Sequence, residues 1–183
     1  MALFAGILFI IVVIGILFIG VYNSLIQLRI DVREASADID TLLKKRFDLI
    51  PNLVNTVKGY AAHEKSVFEK VTELRSKMGN AQSMEEKADV NNQMTQTLKT
   101  LFAVAENYPE LKADASFIKL QTDLGDLETE IQKSRRFYNA TVGEFNTKIQ
   151  VFPNVLVAGM LGFTAEKFFQ AADEEKENVT VQF

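Results

Sequence analysis

The spacing of apolar and charged residues divides the chain into regions of different character. From Ala2 to Val21, "ALFAGILFIIVVIGILFIGV", no charged residue occurs. About 20 apolar residues at about 1.5 Å each match the roughly 30 Å hydrocarbon core of a bilayer. Residues 1–21 therefore read as a transmembrane anchor. A secretory signal is the competing reading. It fits less well because no basic segment precedes the run, the run exceeds a typical signal core, and no A-x-A-like site follows.

Past the anchor the pattern becomes amphipathic. Tyr22 to Ile50 contains neither Gly nor Pro, and Leu25, Leu28, Val32, Ala35, Ile39 and Leu42 recur at alternating steps of three and four. That is the seam of a helix packed on other helices. The stripe resumes after Pro51 through Leu53, Val57, Tyr60, Val67, Val71, Leu74 and Met78, with one shift of phase, and Gly79-Asn80 supplies its end. Pro51 lacks an N–H and its ring meets the Phe47 carbonyl, so a kink is expected there. The alternative is a new helix capped by Asp48, with Pro51 in its first turn.

A second helix is predicted from Ser83, where Ser83 and Glu86 have capping-box spacing, through Val90, Met94, Leu98, Leu101 and Ala105. Pro109 interrupts the pattern and Asp114 can cap a third helix. The seam of that third helix runs Phe117, Leu120, Leu124, Leu127, Ile131, Ser134, Tyr138, Thr141, Phe145 and Lys148. Val151 to Phe163, "VFPNVLVAGMLGF", is uncharged and too short to cross a bilayer. A short helix capping the bundle is the expected reading, and a segment dipping into lipid beside the anchor is the other. Residues 173–183 form an acidic linker and a "VTVQF" tail, either frayed or added to a partner's sheet edge. The predicted fold is all-α: the transmembrane helix continues into an elongated antiparallel helical bundle over residues 22–172.

Helix lengths raise a question of cover. A first helix running from Tyr22 to Met78 would extend about 85 Å, and a second of about 37 Å would cover it back only to about Leu53. The seam from Leu25 to Leu42 then needs the third helix, the C-terminal segment, a bend at Pro51, or another subunit. Self-association along this seam is the favoured reading, giving a membrane-anchored homo-oligomer. An adaptor for a membrane-protein partner is the second.

Composition narrows the chemistry. No cysteine is present, which removes disulfides and thiolate sites, and a net charge of −4 argues against nucleic acid as a partner. A di-iron bundle takes two Glu-x-x-His motifs, whereas His63 is the only histidine and Tyr60 stands three residues before it. No catalytic residue, metal or cofactor is therefore expected. Arg29, Arg33, Lys44, Lys45 and Arg46 follow the anchor, which favours a cytoplasmic C-terminal domain. Arg46 falls on the seam, so a polar contact inside the bundle is expected, with Glu144 of the third helix or a carboxylate of another subunit as its partner.

The segments "YNSL", "RFDLIPNLVNTVKGYAAHE", "AENYPELKA" and "RRFYNATVGEFNTKIQVFP" occur in that order. In this combination the chain resembles the LemA family of bacterial membrane proteins. The resemblance rests on Arg46, Asp48, Pro51 and Asn52 in one block and on Asn139, Asn146 and Pro153 in another. It departs at the N-terminus, where "MALFAG" stands in place of lysines. The resemblance implies a single-pass protein of the bacterial inner membrane with a helical domain and no agreed enzymatic activity. Relatives are linked to envelope stress, membrane-embedded metalloproteases and, in magnetotactic bacteria, organelle membrane formation.

Overall fold

A computed structural model of the protein describes residues 1–61 and 63–169. Among them, six helices and no strand are found: α1 (Ala2–Lys58), α2 (Lys65–Asn80), α3 (Met84–Ala105), α4 (Pro109–Lys112), α5 (Ala115–Gln150) and α6 (Asn154–Leu161). The acidic linker and the "VTVQF" tail lie outside the described residues. Helix α1 carries the apolar span directly into the amphipathic stripe, because nothing between Tyr22 and Ile50 interrupts its hydrogen bonding. Pro51 is inside this helix, with helical residues on both sides. No new helix begins at Asp48.

The first helix does not reach Met78. It ends at Lys58, and the N–H groups of Tyr60 and Ala61 both close on the Val57 carbonyl. Gly59 follows the last helical residue, and α2 starts afresh at Lys65. The single phase shift in the apolar stripe is the trace of this turn. Tyr60 faces outward and donates its hydroxyl to Asp114 (3.1 Å), while Ala61 occupies the core.

The described chain falls into two compact units, Met1–Ala37 with Phe137–Lys167, and Asp38–Arg136 with Phe168 and Phe169. In the second unit Asp40 pairs with Lys87, and Arg46 with Asn91 and Thr95, so α1 and α3 run in the same direction. Thr95 meets Glu128 and Phe102 meets Phe117, so α5 runs against both. Helix α2 fills the remaining position, with Lys58 over the Phe68 ring at its start. The result is an up-down-up-down arrangement of four helices. Its core holds Ile50, Leu53 and Val57 of α1, Phe68, Val71 and Leu74 of α2, Met94, Leu98 and Leu101 of α3, and Phe117 and Leu124 of α5. Each such side chain contributes about 1.5–3 kcal/mol on burial.

Helix starts follow their sequence signals. Ser83 Oγ accepts from the Glu86 N–H (3.2 Å) while Glu86 accepts from the Ser83 and Gln82 N–H groups (3.1 and 2.8 Å). Asp114 Oδ1 accepts from the Ser116 and Phe117 N–H groups (2.8 and 2.9 Å). These backbone bonds hold both carboxyls below the usual carboxylate range, Glu86 chiefly through Gln82 and Asp114 chiefly through Phe117. A carboxyl depressed in the folded state stabilises above its ordinary pKa of about 4, and that contribution is lost as pH falls through the folded value. Urea midpoints measured down to strongly acidic pH should therefore fall less steeply for Glu86→Gln/Asp114→Asn than for the wild type. Equal slopes would show that these caps do not govern acid sensitivity.

Candidate functional site

The residues singled out in the sequence do not converge on one site. Arg46 lies in the interior of the second unit and Asp48 on its surface, paired with Lys44 one turn earlier (3.2 Å). Pro51 is half-buried and Asn52 exposed. Asn139 is half-buried on α5. Asn146 belongs to the first unit, and Pro153, after a cis Phe152–Pro153 bond, is exposed.

Arg46 is the centre of the strongest polar cluster. Its Nη1 donates to Asn91 Oδ1 (2.8 Å), Thr95 Oγ1 (3.1 Å) and Glu128 Oε2 (2.7 Å). Glu128, not Glu144, is the partner. In the antiparallel register of α5 the two glutamates stand about 24 Å apart along the helix, and Glu144 is exposed. The Arg46 side chain is 3% exposed and that of Glu128 20%. Burial pulls the Arg46 pKa down and the Glu128 charge opposes it. Arg46 Nε and Asn91 Nδ2 are buried without a hydrogen-bond partner among the described residues. The cluster joins α1, α3 and α5 through one guanidinium and fixes their register. Asn91, Thr95 and Glu128 escaped the sequence reading. Their signal was present, since each follows directly on a seam residue (Val90, Met94 and Leu127).

Asn146 has a different task. Its Nδ2 donates to the Glu166 carbonyl and its Oδ1 accepts from the Glu166 N–H, both at 2.8 Å. Tyr138 donates its hydroxyl to the Lys167 carbonyl (2.9 Å). Together they hold an extended segment along α5, where Phe163 meets Phe145 (6.3 Å) and takes Arg29 on its face (4.9 Å). In the second unit, Arg135 stacks on buried Phe169 (5.0 Å).

The seam proposed for self-association is closed within the chain. Leu25, Val32, Ala35 and Ile39 are between 0 and 4% exposed, and Leu28 and Leu42 are half-buried. Within a single chain, most of the apolar surface of this seam is therefore already buried. Large apolar side chains are exposed in the anchor, where Leu3, Phe4, Phe9 and Ile16 are each 65% exposed or more, and around α6, with others standing singly at Ile30, Ile118, Phe137 and Phe168.

The sequence profile of the LemA family matches residues 35–183, well over half of the chain. The protein LemA of Metamycoplasma hominis is 29% identical over 180 residues, covering 96% of this chain and 82% of the relative. Magnetosome protein MamQ 2 of Paramagnetospirillum magneticum is 22% identical over 175 residues, with 81% of this chain and 64% of that protein aligned. Magnetosome protein MamQ of Magnetospirillum gryphiswaldense is 21% identical over 174 residues with the same coverage. The chain thus spans a little under two thirds of the magnetosome proteins it matches. A membrane-length apolar helix leading into a helical bundle agrees with the family match, and the chain belongs to the LemA family.

Proposed function

We propose that this protein is a non-enzymatic, membrane-anchored scaffold that presents its helical bundle to other components of the envelope membrane. The observation that carries the reading is α1, which joins a lipid-length, solvent-exposed apolar span to the bundle core without a break. A single helix that is at once lipid anchor and core element of the bundle suits tethering and presentation rather than turnover. Supporting this, the depressed carboxyls serve as helix caps (Glu86, Asp114) or as a surface helix pair (Glu73 with Lys77 and Lys70), and the buried cation is tied to three helices. The relatives named for the magnetosome are in keeping with a membrane-organising role.

Two versions of the scaffold differ in their partner, copies of this chain or a different membrane protein. The cover on the Leu25–Leu42 seam favours the second, an adaptor. Basic residues after the anchor place the bundle on the cytoplasmic side in this proposal. A photo-crosslinker at exposed Lys119 or Gln132, in cells with intact membranes, should give adducts that disappear when residues 2–21 are deleted. Adducts at twice the chain mass would return the reading to self-association, and complete absence of adducts would sink the scaffold. Protease added outside the inner membrane should leave the bundle intact, and cleavage there would reverse the orientation.

A further inference from the structure

We infer that the segment around α6 is a second membrane contact, an interfacial foot that seats in the bilayer beside the anchor. Phe152 is 80% exposed, Met160 77% and Leu156 60%, with Val151, Val155 and Leu161 also exposed. No charge occurs between Lys148 and Glu166, and every exposed residue from Val151 to Gly162 is apolar. An exposed apolar face of that kind marks an interaction surface.

The geometry identifies bilayer as its occupant. Within the first unit, Arg29 of α1 and Phe145 of α5 both touch the Phe163 ring, which sets them at a common level. Past this common level the uncharged span begins at Val21, about 12 Å further along α1, while α5 ends at Gln150, about 8 Å further. Helix α5 therefore stops within about one turn of the level where the lipid-length run starts. Val151, Phe152 and α6 follow directly, at the depth where interfacial segments bury an apolar face about 5–10 Å into the headgroup boundary.

The orientation of α6 is fixed rather than free. Asn154, Val157 and Ala158 are buried against the first unit, which turns Leu156 and Met160 outward. At its end Gly162 adopts φ 69°, the left-handed conformation that glycine accepts without strain. The Phe163 N–H returns to the Ala158 carbonyl (3.0 Å) and the Gly162 N–H to that of Gly159 (3.4 Å). This Schellman closure reverses the chain and delivers Phe163 to Phe145 and Arg29. The foot is thereby held to the soluble part from both of its ends.

This inference rests on the anchor being inserted, so the test reports on both. The absence of native cysteine allows single replacements Phe152→Cys, Leu156→Cys and Met160→Cys, each labelled with an environment-sensitive fluorophore. Ile10→Cys serves as the anchor control and Lys119→Cys as the aqueous control. In full-length protein reconstituted into phosphatidylcholine/phosphatidylglycerol vesicles, the three foot labels should emit to the blue of the aqueous control. They should lose fluorescence most strongly to lipid spin-labelled near the headgroup. The anchor label should respond to lipid spin-labelled deep in the chains. Foot labels that match Lys119→Cys while the anchor label is quenched would overturn the foot and leave the anchor standing. Shielding that vanishes on diluting protein at constant lipid would assign the face to a second copy and equally overturn it.

Discussion

Replacing Glu128 by leucine should destabilise the protein more than replacing Arg46 by methionine, although the two residues form a single pair. The guanidinium is the member sealed from water: its side chain is 3% exposed against 20% for Glu128. In Glu128→Leu the cation keeps only the neutral oxygens of Asn91 and Thr95, and a buried charge stripped of its partner costs about 3–5 kcal/mol. In Arg46→Met the carboxylate left behind turns toward solvent. The loss is then the Asn91 bond, about 1–3 kcal/mol for a buried group left unsatisfied. Arg46→Met/Glu128→Leu removes both charges and should lie closer to the wild type than Glu128→Leu alone. That outcome is favoured because Arg46 Nε already lacks a partner, so the native cluster is not fully compensated. Urea unfolding of the full chain in detergent micelles, followed by far-ultraviolet circular dichroism, gives the three values. A larger loss for Arg46→Met than for Glu128→Leu would show that hydrogen bonding to α3, rather than the buried charge, is the controlling term.

Arg46 marks the boundary between what local sequence encodes and what it does not. A charged residue at a seam position announces a buried contact, because the periodicity that places Leu42 inside places Arg46 inside four residues later. Its partner depends on how far α5 slides along α1, and no local pattern encodes that offset. Glu144 and Glu128 are equivalent until the register is known. Caps behave oppositely. Ser83, Glu86 and Asp114 act on N–H groups within three residues, so spacing alone located them. The end of α1 was missed for a physical reason as well. Val57 and Ala61 are both in the core, and the stripe continues in α2 from Phe68, so a turn that preserves burial leaves almost no gap in the apolar pattern. Only Gly59 and the phase shift mark it. Asn146 was visible as an unusual residue, but its bond to the backbone of Glu166 spans a reversal at Gly162 that hydropathy does not show.

Ala35→Glu separates the two accounts of the seam by the kind of damage it does. Ala35 is 1% exposed in the unit formed by residues 1–37 and 137–167. A methyl group there leaves almost no surface to solvent, and a glutamate adds both volume and an unpaired charge. Overpacking a tight contact costs about 1–3 kcal/mol, and an uncompensated buried charge about 3–5 kcal/mol. Their sum is a large part of the 5–15 kcal/mol that holds an ordinary domain together. The variant should therefore lose amide protection across Val32–Ala37 and Tyr138–Ile149, become cleavable by trypsin at Arg33 and Lys148, and show a lower melting temperature at every protein concentration. An interface between subunits would respond otherwise: the fold would persist, the melting temperature of the variant would not depend on concentration, and the particle mass in detergent would drop to that of one chain. Glu34→Ala supplies the control, since Glu34 is exposed on the same turn and its replacement should leave protection unchanged. Protection intact in Ala35→Glu together with a reduced particle mass would place the seam between molecules and restore self-association along Leu25–Leu42 as the basis of the scaffold.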